Sequence, residues 1–376
     1  MNIGLDIRTL GKKRTGDEVY MTELIKGYRE RKSDFQFFLF TDTETWRDVP
    51  VLKDLPDNMR VFVLRPKSKL LWTMYALPKA CHKYSIDLLH VMYITPLINL
   101  PGKTKLITTI HDVSWKFVPE YIKWSDKAAL NTLIPLAIRK SDHVLTVSKH
   151  AKHSIQNIFG VSSTKVTAIY NGGYISSMPQ VLHLGPQVTN ILNHDYIVYL
   201  GSLQPRKNIP TLIRAFHAYK TRHAESPLKL VIAGGKGHNY DTRIDELIQE
   251  YQLQDEVFMP GFVSDNEKYA LMRNAQAFVF VSLYEGFGIP PIEAMSFGTP
   301  CIVSDSSCLP EVTGDAGLAV SPYDVQGLSS AIELVVHNLA KAKELSEKGK
   351  ERAKKFQWST MVDETLTLYK TLLLKK

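Results

Sequence analysis

The sequence predicts an α/β protein built from two doubly wound, Rossmann-like parallel-sheet domains facing each other across a cleft. Three observations predict it. The first half alternates short apolar runs with helical patterns, the alternation stops near residue 173, and it restarts at Tyr196. Strands alternating with helices imply parallel pairing in a doubly wound sheet. The 376 residues also suit two domains, at roughly 100–200 residues each.

Taken in order, Asn2–Asp6 is the first candidate strand. Tyr20, Met21, Leu24, Ile25 and Tyr28 then recur at helical spacing over residues 18–28. Residues 35–40, 60–64, Leu88–Met92, 106–110, 143–147 and 166–170 read as further strands, with helical stretches such as 125–139 between several of them. Residues 173–195 hold two prolines and two glycines without a clear period, which marks a boundary or linker. Beyond it, Tyr196–Leu200, Lys229–Ala233, 256–259 and 277–281 are strands, and 210–222, 243–251 and 267–273 are helices. The expected domains are residues 1–180 and 190–358, with a helix in 359–376 packing back on the first.

Composition narrows the function. Apolar residues make up 44% and charged residues 22%, which excludes disordered, collagen-like and coiled-coil chains. No run of about 18 apolar residues occurs, so no transmembrane helix is expected. The opening MNIGLDIRTLGKKR reads as a strand and not as a signal peptide. Cys81, Cys301 and Cys308 form no CxxC pair and leave an odd count, which argues for a reducing cytoplasm. The net charge of +8 is uneven: residues 1–180 carry +10 and the remainder −2. Residues 61–110 hold seven basic residues and one acid, Asp87, together with Leu70, Leu71, Trp72, Met74 and Tyr75. Such a segment suits an anionic membrane surface or an anionic substrate. It equally suits a solvated basic surface in which Leu71, Trp72 and Tyr75 line the inner face of an ordinary helix. No zinc-finger, basic-zipper or RNP-like pattern accompanies the charge, so nucleic acid is not an expected partner.

Two segments carry chemistry. In YIVYLGSLQPRKNIPTLIRAF, a strand ends at Gly201 and a helix begins near Pro210, with Asn208 as candidate N-cap. Arg206 and Lys207 thus stand before a helix N-terminus, whose free N–H groups and partial positive charge favour a diphosphate. Solvated loop cations are the alternative. In FVFVSLYEGFGIPPIEAMSFGTPCIVSD, Glu285 follows a buried strand and Glu293 is expected in the first turn of a helix opened by Pro290 or Pro291. A carboxylate accepts both hydrogen bonds of a vicinal diol, as in ribose or a pyranose, and Gly286 and Gly288 let backbone amides approach a ligand. Taken singly, Glu293 also fits a helix-dipole acid and Glu285 an exposed loop acid.

Together the two segments resemble the retaining glycosyltransferases of the GT4-type family, which have the GT-B fold. GSLQPRKN looks like that family's phosphate loop and EGFGIPPIE like its paired-glutamate motif. Lys229-Leu-Val-Ile-Ala-Gly-Gly235, Gly261-Phe-Val263, Thr109-Ile-His-Asp112, Val147-Ser148 and Asn171-Gly172 are similar to further elements, so the resemblance covers nearly the whole chain. It implies that Arg206 and Lys207 hold the donor diphosphate, Glu293 the ribose hydroxyls, and Glu285 with the amides of Gly286, Phe287 and Gly288 the donor sugar. It further implies His111 across the cleft near the reacting carbon, Gly16 near the phosphate, and Phe262 and Val263 flanking the base. His111, Glu285, Arg206 and Lys207 would then be the catalytic set. A histidine beside an acid such as Asp112 is also common as a structural pair. Arg14-Thr15-Gly16-Asp17-Glu18 departs from the small residues usual in the first loop, since two acids would repel a phosphate unless turned away or capping the helix.

The implied activity is retaining hexosyl transfer from a GDP- or UDP-sugar to a saccharide or lipid-linked saccharide acceptor. A mannosyl donor is favoured by the resemblance of His111-Asp-Val-Ser114 and Pro119-Glu-Tyr121 to mannosyltransferases. No DxD-like pair stands out, so no metal or other cofactor is expected, and the cationic loop would take the metal's role. A nucleotide-sugar epimerase, a phosphorylase and a non-catalytic nucleotide-sugar-binding module are the alternatives. The expected place is the cytoplasm, peripherally at the inner face of the membrane.

Overall fold

The computed structural model describes residues 1–11, 16–66, 68–96, 98–177, 184–237 and 239–374. The chain forms two units. One comprises Met1–Trp115, Ile122–Gly172 and Trp358–Lys376, the other Lys116–Tyr121 and Gly173–Gln357.

The first unit is built on seven strands: β1 Asn2–Asp6, β2 Gln36–Thr41, β3 Met59–Val63, β4 Leu88–Met92, β5 Lys105–Thr109, β6 His143–Thr146 and β7 Val166–Ala168. All pair in parallel, in the order β3-β2-β1-β4-β5-β6-β7. The central strands are apolar runs because helices cover both faces of such a sheet. Ile3, Leu5, Phe37, Leu88 and Ile107 of the sheet share one core cluster with Met21 and Leu24 of the helix Gly16–Glu30. The helix Trp358–Leu374 adds Met361, Val362 and Tyr369 to the same cluster. Gly27 permits that packing, since a Cβ there would overlap Val362.

Within this core lies a buried polar chain. The His90 Nδ1 is 2.5 Å from the Tyr369 hydroxyl and Nε2 is 2.6 Å from Thr109 Oγ1. Tyr28 donates to the Tyr369 hydroxyl at 3.0 Å. Burial, with repulsion from His111 added, pushes the His90 imidazole down to about 3. The folded state therefore resists a proton that the unfolded chain takes up below about pH 6.5. Stability from this group is full above that pH and falls as pH drops toward 3, by at most about 1.4 kcal/mol per pH unit. Thermal melts between pH 7.5 and 4.5 should show a shallower acid slope for His90→Gln than for the wild type. Equal slopes would remove His90 as the cause.

The second unit has six strands: β8 Tyr196–Leu200, β9 Lys229–Ala233, β10 Val257–Gly261, β11 Ala277–Phe280, β12 Cys301–Ser304 and β13 Gly317–Val320. They run in parallel in the order β10-β9-β8-β11-β12-β13. Strands β12 and β13 were not anticipated from periodicity, and 173–195 is not all linker. Pro186–Ile191 forms a helix that opens on a proline, and Gly173 and Tyr174 bond to the Phe356 carbonyl. Residues 178–183 lie outside the described ones. All three cysteines are free and buried. No helix among the described residues is long and apolar enough to cross a membrane.

Candidate active site

In the second sheet the strand order reverses between β8 and β11, which are hydrogen-bonded neighbours. Their carboxyl ends therefore lie side by side, where open α/β sheets bind ligands. The loop after β8 passes close to the end of β9, and Gly234 makes room for it: a Cβ there would overlap the Gly201 carbonyl.

Pro205–Lys207 forms a single 3-10 turn, and Asn208 follows at φ 58°. Asn208 holds the N-cap position before the helix Ile209–Arg222 but makes no capping bond, contrary to expectation. Its Nδ2 instead donates to the carbonyls of Val281 at 3.2 Å and Pro322 at 2.7 Å, while its Oδ1 accepts from the Thr211 hydroxyl at 2.8 Å. The side chain ties three loops together rather than closing one helix.

Arg206 and Lys207 converge on Glu285. Arg206 Nη1 donates to Glu285 Oε2 and to the Tyr284 carbonyl, each at 3.1 Å. Lys207 Nζ pairs with Glu285 Oε1 and lies 5.2 Å from the Phe280 ring centre. Lys207 and Glu285 are each only 8% exposed, so neither is a solvated loop residue. Burial alone would raise the Glu285 carboxyl, but the Lys207 and Arg206 charges outweigh it and hold it at about 2. A buried carboxylate with two cations on it leaves one net positive charge for a ligand to meet.

The segment after Glu285 is shaped from below. The Glu285 amide donates to Ser307 Oγ at 3.0 Å, and the Cys308 thiol donates to the carbonyls of Phe287 at 2.8 Å and Glu285 at 3.2 Å. Burial pushes the Cys308 thiol up, which keeps it a neutral donor. Gly288 has φ 106°, a backbone conformation that strains any residue carrying a Cβ.

The helix that follows is Ile289–Phe297. Glu293 is its fifth residue, not a first-turn acid as expected, so the helix dipole is not what holds it. Lys268 Nζ does, at 2.7 Å. Lys268 belongs to the helix Asp265–Asn274, which is fixed by a Ser264–Glu267 capping box. Burial would lower the Lys268 ammonium, but Glu293 outweighs it and holds it above its ordinary value. Phe262 follows Gly261 at the end of β10 and is 71% exposed, with Val263 partly buried beside it.

The first unit presents its own cluster at the carboxyl ends of its strands. His111 follows β5 and is buried. Tyr20 meets it edge-on at 4.9 Å and Tyr93 stacks on it at 5.8 Å. Asp112 does not serve as its partner: Asp112 accepts from the Ser114 amide at 2.9 Å. The acid at His111 is Asp17, whose Oδ1 is 3.3 Å from Nδ1. Glu18 turns back to accept the Gly11 amide at 2.7 Å. Gly16 opens the helix Gly16–Glu30 with empty space where a Cβ would stand, and Arg14 and Thr15 lie outside the described residues. Among the described residues no three His, Cys, Asp or Glu side chains are grouped to share a metal ion.

Sequence reasoning missed Lys268, Ser307, Cys308, Tyr93 and the Asp17–His111 contact. Ser307 and Cys308 were accessible in principle, because they follow β12, which pairs with β11.

Residues 186–352 match the model of glycosyl transferases group 1, and residues 14–173 that of glycosyltransferase family 4. O-antigen chain mannosyltransferase B of Escherichia coli is 27% identical over 371 residues, covering 95% of this chain and 96% of that protein. O-antigen chain mannosyltransferase RfbU of Salmonella typhimurium is 32% identical over 225 residues, covering 60% of this chain and 59% of that one. Among solved structures, sucrose-phosphate synthase from Thermosynechococcus elongatus superposes with a TM-score of 0.77 at 21% identity, over the full length of both chains. Anabaena HepE, in complex with UDP and glucose, superposes with a TM-score of 0.72 at 18% identity over 98% of this chain and 99% of that one. These two likenesses show the fold.

Proposed function

We propose that this chain, which belongs to the GT4-type glycosyltransferases of the GT-B fold, moves a mannosyl group from a nucleoside diphosphate mannose to a saccharide acceptor with retention of configuration. The observation that carries this reading is the Arg206–Lys207–Glu285 cluster where β8 and β11 end. Breaking the bond between an anomeric carbon and a diphosphate puts positive charge on the sugar and negative charge on the leaving group. Arg206 and Lys207 stabilise that leaving charge, with the first turn of the helix Ile209–Arg222 beside them. Glu285 and the amides of Gly286, Phe287 and Gly288 bind the donor sugar, Glu293 the ribose hydroxyls, Gly16 the phosphate, and Phe262 and Val263 the base. His111 contacts the transferred sugar, and the acceptor attacks from the leaving-group side. A metal is not required, because the cation pair already supplies the positive charge. The mannosyl choice is supported by the mannosyltransferase relatives.

The test is turnover of GDP-mannose with short mannoside acceptors in excess EDTA. Extended product is the expected result. Activity lost in EDTA and restored by magnesium or manganese would overturn the metal-free mechanism, and turnover of UDP-sugars alone would overturn the mannosyl donor. Binding without turnover on a panel of acceptors would favour a sensing module.

A lipid-linked acceptor at the cytoplasmic face of a membrane is the finer part of the proposal. Leu70, Leu71, Met74 and Tyr75 are exposed on the segment that includes Lys79 and Lys83. Trp72 is withdrawn from this surface, correcting its assignment to the interface. It is fully buried, donates to Asp6 Oδ2 at 3.1 Å, and carries Arg8 over its ring at 4.4 Å. Exposed apolar side chains among cations suit an anionic bilayer, where each nearby Lys or Arg contributes about 1 kcal/mol. The protein should sediment with liposomes containing anionic lipid at low salt and release at high salt, and Lys79→Glu with Lys83→Glu should weaken binding. Protein left in the supernatant at low salt would point to a soluble acceptor.

A further inference from the structure

His111 is held on one side only. Its Nδ1 lies 3.3 Å from Asp17 Oδ1, and Tyr20 and Tyr93 fix its ring plane. Tyr93 does so from a left-handed backbone, φ 59°, at the end of β4. Backbone held in this region by a bulky residue clusters where a side chain must be aimed. The other nitrogen, Nε2, is buried and meets no hydrogen-bond partner among the described residues. A buried polar atom without a partner is costly unless a ligand supplies one. Asp17 itself is tied down by its place in the first turn of the helix Gly16–Glu30, so it is a fixed anchor for the ring.

We propose that Asp17 is a positioning residue that keeps the His111 proton on Nδ1, leaving Nε2 as an acceptor for a hydroxyl of the sugar substrate. A neutral imidazole has one donor and one acceptor nitrogen, and the partner of one nitrogen decides the role of the other. A carboxylate can only accept, so Asp17 selects Nδ1–H. The acid that departs from the family's usual first loop thereby gains a purpose, because it faces the histidine rather than the donor phosphate. The hydroxyl half of the inference rests on the glycosyl-transfer reading above, whereas the tautomer half stands on the Asp17–His111 geometry alone.

The test is nitrogen NMR of protein labelled with 15N-histidine, in which His111→Gln identifies the His111 signals. Wild type should show the Nδ1–H tautomer. Asp17→Asn can present an amide donor to Nδ1 and should move the proton to Nε2, while Asp17→Ser should leave a mixture. Both variants should lose about 10- to 100-fold in kcat/KM, the scale on which losing the hydrogen-bond partner of a metal-bound histidine lowers activity, with GDP affinity unchanged. Asp17→Glu should restore part of the rate. A wild-type Nε2–H tautomer, or an unchanged tautomer in both variants, would overturn the assignment whatever the activity. A moved tautomer with unchanged turnover would overturn the role in transfer while leaving the glycosyltransferase reading in place. Melting temperatures identify a variant that has lost its fold, and the second variant then decides.

Discussion

Lys207→Ala is expected to cost about 3 kcal/mol of fold stability and to weaken GDP binding at the same time. The first effect comes from Glu285, which stays buried with Arg206 as its remaining cation. Breaking a buried ion pair by removing one partner strands the other charge, typically at about 3–5 kcal/mol. Arg206 places this case at the lower end. The second effect is the loss of a charge-assisted contact to the diphosphate, about 1.5–3 kcal/mol, or roughly tenfold to a hundredfold or more in Kd. Pairing Lys207→Met with Glu285→Gln separates the two. The double variant should regain most of the stability, because the stranded carboxylate is gone, yet it should still bind GDP weakly. Calorimetry with GDP alongside denaturant melts would decide. Unchanged GDP affinity in both variants would remove Lys207 from the donor site.

Glu285→Gln is expected to lower kcat by about 10²–10³, the cost of losing a preorganised electrostatic contact to the reacting centre. Its effect on GDP should have the opposite sign. Arg206 and Lys207 both rest on this carboxylate, so a diphosphate must compete with it. Neutralising Glu285 releases the cations, and GDP should bind as tightly as before or more so. Turnover assays and calorimetry on one preparation measure both. A parallel loss of GDP affinity and turnover would mean that Glu285 shapes the phosphate loop rather than serving the sugar.

The fold was largely legible because buried parallel strands are short apolar runs. Asn2–Asp6, Leu88–Met92, Tyr196–Leu200 and Lys229–Ala233 have the bounds that periodicity predicts. Strands β12 and β13 escaped although Cys301–Ser304 and Gly317–Val320 are no shorter than β6, β7 and β11; each follows directly on a turn that breaks the apolar run, Gly298-Thr-Pro300 before one and Gly314-Asp-Ala316 before the other. Glu293 was misplaced by one or two residues, enough to leave the first turn, since the helix opens at Ile289 and Pro290 and Pro291 sit inside that turn. Local rules also assigned Asn208 to a helix cap, but its amide bonds reach carbonyls at positions 281 and 322. The pairings of Lys268 with Glu293 and of Asp17 with His111 join residues 25 and 94 positions apart. No local pattern encodes such pairs. They follow from which strand ends the sheet order makes neighbours.

The helix Trp358–Leu374 belongs to the unit that begins the chain, and its Tyr369 closes the hydrogen bonds of His90 and Tyr28. A ribosome delivers that helix only after every residue of the other unit, Lys116–Tyr121 and Gly173–Gln357, has been made. Domains usually fold in the order they are synthesised. Here the later half has its whole chain first, while the earlier half waits with the Met361, Val362 and Tyr369 side of its core open. The interval before residue 374 emerges is therefore when the nascent chain is most exposed to proteases and most in need of a chaperone.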